Sequence, residues 1–368
     1  MLSTTKMGWT QNAATQLTDE NSDIQAVALS DINTGGQLPD LVARQKHAPD
    51  DKEITRQIEA LVDQALPETI TQDLLDALPV DCTTKKNGLG TLVIPKPYLP
   101  TRSAEPEHGW IFTKVCYLYL PSGVQGSQLR LFCIIHYTRP ADADLAARAA
   151  LLLSITHKTL VQRFARPAAN GDAPFHVWLC REGKTGGEQF RENLYFYDLD
   201  TPRSSIEWVR EIVHEYAHLA VPAIGGYQSP EYWANGYLGE RLLIRWLYRN
   251  SAARTMVERE WGDFSGAPNF MRLLVDPACA LYRKVGPNAH WLRRKDADGM
   301  RYFIGLVLIA DDKYGAPAIG GAMAELPRFQ EATPMDFVEA LSKAVALRNR
   351  PHGRSRHAAV LGMYKESR

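Results

Sequence analysis

Two histidines four residues apart, with a glutamate next to the first, are the arrangement in this chain with the plainest chemistry. His214-Glu215-Tyr216-Ala217-His218 lies within TPRSSIEWVREIVHEYAHLAVP. Residues at i and i+4 share a helix face, so both imidazoles project together. Two imidazoles one turn apart can coordinate one tetrahedral zinc ion. The Glu after the first His then reaches the water on that ion and acts as its base. The bland alternative is a pair of solvated histidines on an exposed helix face, and the elements around the motif weigh against it.

The helix that must present these residues is marked at both ends. Ser204 is an N-cap, and Glu207 three positions on completes a capping box. Pro222 ends the helix. Val209, Ile212, Val213, Tyr216, Leu219 and Ala220 form its apolar side. Upstream, residues 112–120 (FTKVCYLYL) and 129–138 (LRLFCIIHYT) read as strands joined by a hairpin through 121–128. A helix over 142–165 follows, then strands over 175–180 and 193–199. The loop between those two strands is Gly-rich, REGKTGGEQ. Downstream, helices are expected over 205–221, 230–249, 252–260, 301–313 and 335–347. Strands first and helices afterwards make an α+β domain.

This order resembles the zincin metallopeptidase superfamily, in which a mixed sheet precedes an HExxH helix. The resemblance covers about residues 112–249. It implies that the strand before the helix, 193–199, is the sheet edge that binds an extended peptide. It also implies a third metal ligand from a second helix. LAVPAI follows His218, so the Gly and third His of metzincins are absent. That leaves the gluzincin type with a Glu ligand, for which Glu231 and Glu240 are the candidates. Asn-Gly-Tyr-Leu-Gly before Glu240 is similar to the stretch around the third ligand of thermolysin-like enzymes. The resemblance therefore implies His214, His218 and Glu240 as metal ligands, zinc as cofactor and Glu215 as catalytic base. Thermolysin-like enzymes orient the first His with an Asp four residues after the ligand Glu, where this chain has Ile244. Glu211 is a candidate for that supporting role. His290, Tyr302, Tyr237 and Tyr227 are candidates for an oxyanion donor.

The remaining signals bound the reading. Among 368 residues, 42 Lys+Arg balance 42 Asp+Glu, which argues against a nucleic-acid binder acting by bulk charge. Apolar runs are too short to span a membrane. No secretory signal is visible, and five widely spaced cysteines without a CxxC read as reduced thiols, so a cytoplasmic location is expected. A mature secreted form would look the same. Gly183-Lys184-Thr185 lacks the upstream Gly of a phosphate loop. The expected organisation is a mobile arm over 1–50 and a catalytic domain over 51–250. A helical subdomain over 251–347 and a basic tail over 348–368 complete it. Within the catalytic domain, 51–78 is expected helical with an interruption at Pro67, and 80–107 loop-like. The expected function is a zinc-dependent hydrolase, a metallopeptidase or amidase acting on a peptide or small amide. The alternative is a non-proteolytic protein on the same scaffold, either a metal-binding interaction protein or a small-molecule enzyme.

Overall fold

A computed structural model describes residues 114–122, 128–164, 174–262, 264, 266–326 and 331–348. It also describes 44, 51–53, 69–71, 82–86, 91–95, 101–102 and 111–112. The arm expected over 1–50, apart from residue 44, lies outside these residues, as does the tail after 348.

The protein is mixed α/β. Its strands are β1 (Thr69–Thr71), β2 (Cys82–Lys86), β3 (Thr91–Pro95), β4 (Thr101–Arg102), β5 (Ile111–Phe112), β6 (Lys114–Ser122), β7 (Gln128–Tyr137), β8 (Phe175–Leu179), β9 (Gly186–Phe190) and β10 (Asn193–Tyr197). Eight of them form one sheet in the order β2-β3-β6-β7-β8-β10-β9, with β1 beside β7, while β4 and β5 pair separately. β7–β8 and β8–β10 are parallel. The other pairs are antiparallel.

Two expectations upstream are corrected. Residues 80–107, expected as loop, contain β2 and β3. CTTKK and TLVIP are short β-branched runs that pair with each other and then with β6. Thr69-Ile70-Thr71, expected within a helix, is a strand against β7. Its β-branched side chains favour that pairing over a helical turn.

The sheet edge is also corrected. β10 is buried at every position, as a strand covered on both faces must be. It lies between β8 and β9. The edge is β9, which comes from the segment expected as a Gly-rich loop.

Helix α1 (Ala143–Phe164) crosses over between the parallel strands β7 and β8. Helix α2 (Ser205–Ala220) carries the two histidines, and its capping box is formed: Ser204 N–H donates to Glu207 Oε2 at 2.7 Å. Helices α3 (Asn235–Arg249), α4 (Ser251–Trp261), α5 (Asp276–Val285), α6 (Ala297–Tyr314), α7 (Ala316–Glu325) and α8 (Pro334–Arg348) follow. Short helical turns lie at Ala267–Phe270 and Ala289–Leu292. α5 and α7 fall where no helix was expected. α3 begins at Asn235, five residues later than expected.

One apolar cluster runs through the molecule. Cys133, Ile135, Val177, Leu179, Leu194 and Phe196 supply the sheet side. Leu152 and Leu153 of α1 and Val209 and Val213 of α2 join it. So do Phe303, Ile319 and Phe337 of α6, α7 and α8. α7 packs against α1. Arg245 of α3 donates to Leu308 O of α6 at 2.8 Å. The helices after residue 250 therefore share a core with the sheet. The opposite sheet face carries a stack of rings, with His136 and Trp178 centroids 3.8 Å apart, then Tyr195 and Tyr197. Cys116, Cys133, Cys180 and Cys279 are buried and stand outside any disulfide among the described residues. Among the described residues, no helix is long and apolar enough to cross a membrane.

Candidate metal centre

His214 and His218 project from α2 toward the start of α3, with ring centroids 5.0 Å apart. His214 Nε2 is 3.2 Å from Glu231 Oε2, and His218 Nε2 is 3.9 Å from the same oxygen. His214, His218 and Glu231 offer ligand atoms that all lie within 4.8 Å of one another. Glu231 Oε1 is buried and has no hydrogen-bond partner. A buried carboxylate oxygen without a donor is costly unless a cation meets it.

Each imidazole is held by its other nitrogen. His214 Nδ1 donates to Glu240 Oε2 at 3.3 Å. His218 Nδ1 donates to Asn235 Oδ1 at 2.8 Å. The Asn235 amide is fixed in turn, because its Nδ2 donates to Val221 O at 3.2 Å. With both Nδ1 atoms engaged in this way, the two Nε2 atoms are the ones turned toward Glu231.

Glu231, rather than the expected Glu240, is the carboxylate that the structure brings to the two Nε2 atoms. Glu240 sits on the Nδ1 side of His214, is 1% exposed, and accepts from Arg210 Nε at 2.8 Å. Its oxygens meet Arg210 and His214 Nδ1, so it lies outside the group of atoms that faces the two Nε2 nitrogens. Glu231 converges on the Nε2 atoms because residues 231–234 precede the helix. The chain there is free to turn its carboxylate inward. Glu240 fills the role left open by Ile244, which is a buried core residue. Glu211 does not support His214 Nδ1; its carboxylate pairs with Arg203 Nε at 3.3 Å.

Space for an ion is made by a glycine. A Cβ on Gly236 would stand 2.5 Å from His218 Nε2 and 2.6 Å from His214 Nε2. Any side chain there would fill the position a shared ion needs. One turn on, a Cβ at Gly239 would strike Ala217 Cβ at 2.3 Å, so α3 lies close against α2. A third glycine brings in the sheet edge. A Cβ on Gly187 of β9 would be 2.6 Å from Glu215 Cγ, so the edge backbone passes directly over Glu215.

The electrostatics follow from burial and charge. Burial pushes the Glu215 carboxyl up to about 8, with Glu231 adding to it. Burial opposes protonation of His214, but its bonds to Glu231 and Glu240 prevail and raise it to about 10. Burial lowers His218 to about 4, and the neighbouring His214 acts the same way. Burial would raise Glu240, yet the His214 hydrogen bond and the Arg210 and Arg241 charges hold it at about 2. A divalent cation at the Nε2 atoms would displace the His214 proton and draw Glu215 down.

The oxyanion candidates separate. The Tyr237 ring packs edge-on against His214 at 4.6 Å, so it borders the site. The Tyr302 hydroxyl donates to Gly286 O at 2.6 Å and accepts from Asn288 N–H at 2.9 Å, so it braces a loop. His290 is exposed on the turn 289–292, and no described contact joins it to the site. Tyr227 is buried in the loop between α2 and α3.

Asn235 and Gly236, which contact or closely approach the two imidazoles, were not among the expected site residues. Their signal was an Asn-Gly pair at the start of a helix facing HExxH. Compared with protein-family models and with curated proteins, the chain matches none.

Proposed function

We propose that this protein is a zinc-dependent hydrolase on a zincin-like fold. It would act on peptide or small amide bonds, with His214, His218 and Glu231 as metal ligands. One observation carries the reading: two Nε2 atoms and the half-buried Glu231 carboxylate, whose Oε1 has no hydrogen-bond partner among the described residues, converge beside Glu215. Two imidazoles and a carboxylate are a donor set that suits zinc. An ion held there would supply a water activated at neutral pH and would polarise the scissile carbonyl.

The chain's own residues do the rest. Glu240 and Asn235 fix the two imidazole rings. Glu215 accepts the proton of the attacking water and returns it to the leaving nitrogen as the C–N bond breaks. Burial keeps this carboxyl away from bulk water, which favours proton transfer near neutral pH. β9 offers its outer edge to an extended substrate, and Gly187 lets that edge approach Glu215. Tyr237 is the best-placed candidate to donate to the developing oxyanion, because it alone of the sequence candidates packs on a ligand imidazole.

The experiment is metal analysis of the purified protein, followed by a broad peptide and amide library at neutral pH with zinc supplied. Stoichiometric zinc and cleavage abolished by a chelator are expected. Full zinc content in both His214→Ala and His218→Ala would overturn the metal assignment. Zinc bound with no cleavage of any substrate class would move the reading to the non-proteolytic alternative.

A further inference from the structure

The loop that carries Glu231 is fastened to a segment far along the chain. Ile224 and Ala332 form a parallel bridge. Gly225 N–H donates to Ala332 O at 3.0 Å, and Ala332 N–H donates to Ala223 O at 3.0 Å. Gln228 N–H donates to Lys295 O at 2.6 Å. The last tie is next to the ligand itself, where the Tyr232 hydroxyl donates to Glu331 Oε2 at 2.6 Å. The other Glu331 oxygen lies over the loop backbone. A Cβ on Gly225 would be 3.1 Å from Oε1, and one on Gly226 would be 3.4 Å from it.

We infer that Glu331 and Tyr232 are positioning residues for the metal centre: their hydrogen bond holds the 223–234 loop so that Glu231 faces the two Nε2 atoms. The inference rests on the metal reading above. Tyr232 is the residue after Glu231, so its ring and the Glu231 side chain leave adjacent backbone positions. Among the described residues the Glu231 side chain has one hydrogen bond, with His214 Nε2, and its Oε1 has no donor. Its placement therefore depends on the backbone that carries it. That backbone is held by residues 331–332 and 295, outside α2 and α3. A three-ligand site is sensitive to this because an ion tolerates little displacement of a ligand atom.

Zinc affinity of the full chain, measured by chelator competition, tests it. Tyr232→Phe and Glu331→Ala should each weaken zinc binding by about 3–10-fold, the scale of one lost hydrogen bond. The double variant should be no weaker than the worse single, because both remove the same bond. Glu331→Gln keeps an acceptor and should bind zinc close to wild type. Melting temperatures taken in excess chelator should stay together across the set, which separates positioning from unfolding. Additive losses in the double variant, or wild-type affinity in both singles, would overturn the latch while leaving the metal reading intact. A wild-type protein that binds no zinc would overturn both.

Discussion

Glu240 meets His214 on Nδ1 at 3.3 Å, and Glu231 meets it on Nε2 at 3.2 Å. The two carboxylates therefore have different work on one ring. On the proposed reading, Glu231 would share an ion and Glu240 would hold the ring that shares it. Glu231→Ala should reduce zinc binding to that of a two-histidine site. Glu240→Gln should weaken it by about 10–100-fold, the usual cost of losing a ligand's partner. Glu240→Gln should also lower the melting temperature in chelator, because Arg210 loses a buried counter-charge. Glu231→Ala should not share that loss. Zinc titration and thermal melts of both variants check the division of roles, and the reverse pattern would return the ligand to Glu240.

Gly236 gives a second prediction. Ala is a better helix residue than Gly by about 1 kcal/mol, a gain that offsets part of the cost of displacing the two imidazoles, so Gly236→Ala should leave the metal-free chain folded. Its methyl group, however, would stand within 2.6 Å of both Nε2 atoms. Zinc binding should be lost while the circular dichroism spectrum is unchanged. Retained stoichiometric zinc in this variant would place the ion elsewhere.

Glu215→Gln keeps the shape of the side chain and removes the base. Zinc should be retained, and hydrolysis should fall by about 10²–10⁴-fold. Single-turnover assays on any substrate the wild type cleaves would measure this. Equal rates in variant and wild type would end the proposed mechanism.

The back of α2 predicts an acid limit. His157 of α1 pairs with the Tyr216 hydroxyl at 2.7 Å, and burial lowers this histidine to about 4. The unfolded chain protonates it near the ordinary value of about 6.5. Below that pH the unfolded state binds the extra proton, so stability falls from about pH 6.5 down to about pH 4. His157→Gln can still hydrogen-bond Tyr216 but does not titrate. Its melting temperature should depend less on pH across that window, and parallel curves for the two proteins would refute the assignment.

The legible and illegible parts of the sequence divide along physical lines. His214, Glu215 and His218 were readable because the helix carrying them is capped, amphipathic and ended by proline. The β6–β7 hairpin and α1 were readable from apolar runs of sufficient length. Glu231 was not, since Pro230 and Glu231 look like the first turn of a helix, where both residue types are favoured. The loop carrying that stretch is tied to residues 331–332, and no local pattern shows those contacts. β9 was hidden for a similar reason. Gly186 and Gly187 have poor strand propensity, and Gly187 is required by the closeness of Glu215 rather than by the strand. β2 and β3 were masked by the prolines around them.

Tyr232 and its acceptor are separated by 99 positions in the chain. During synthesis the HExxH helix and the loop bearing Glu231 emerge well before residue 331 does. At a translation rate of about 5–20 residues per second, that interval lasts about 5–20 seconds. Throughout it the nascent chain holds two histidines and several carboxylates without the contacts that fix Glu231. On the proposed reading, metal capture in the finished geometry would therefore wait for release of the C-terminal helices from the ribosome.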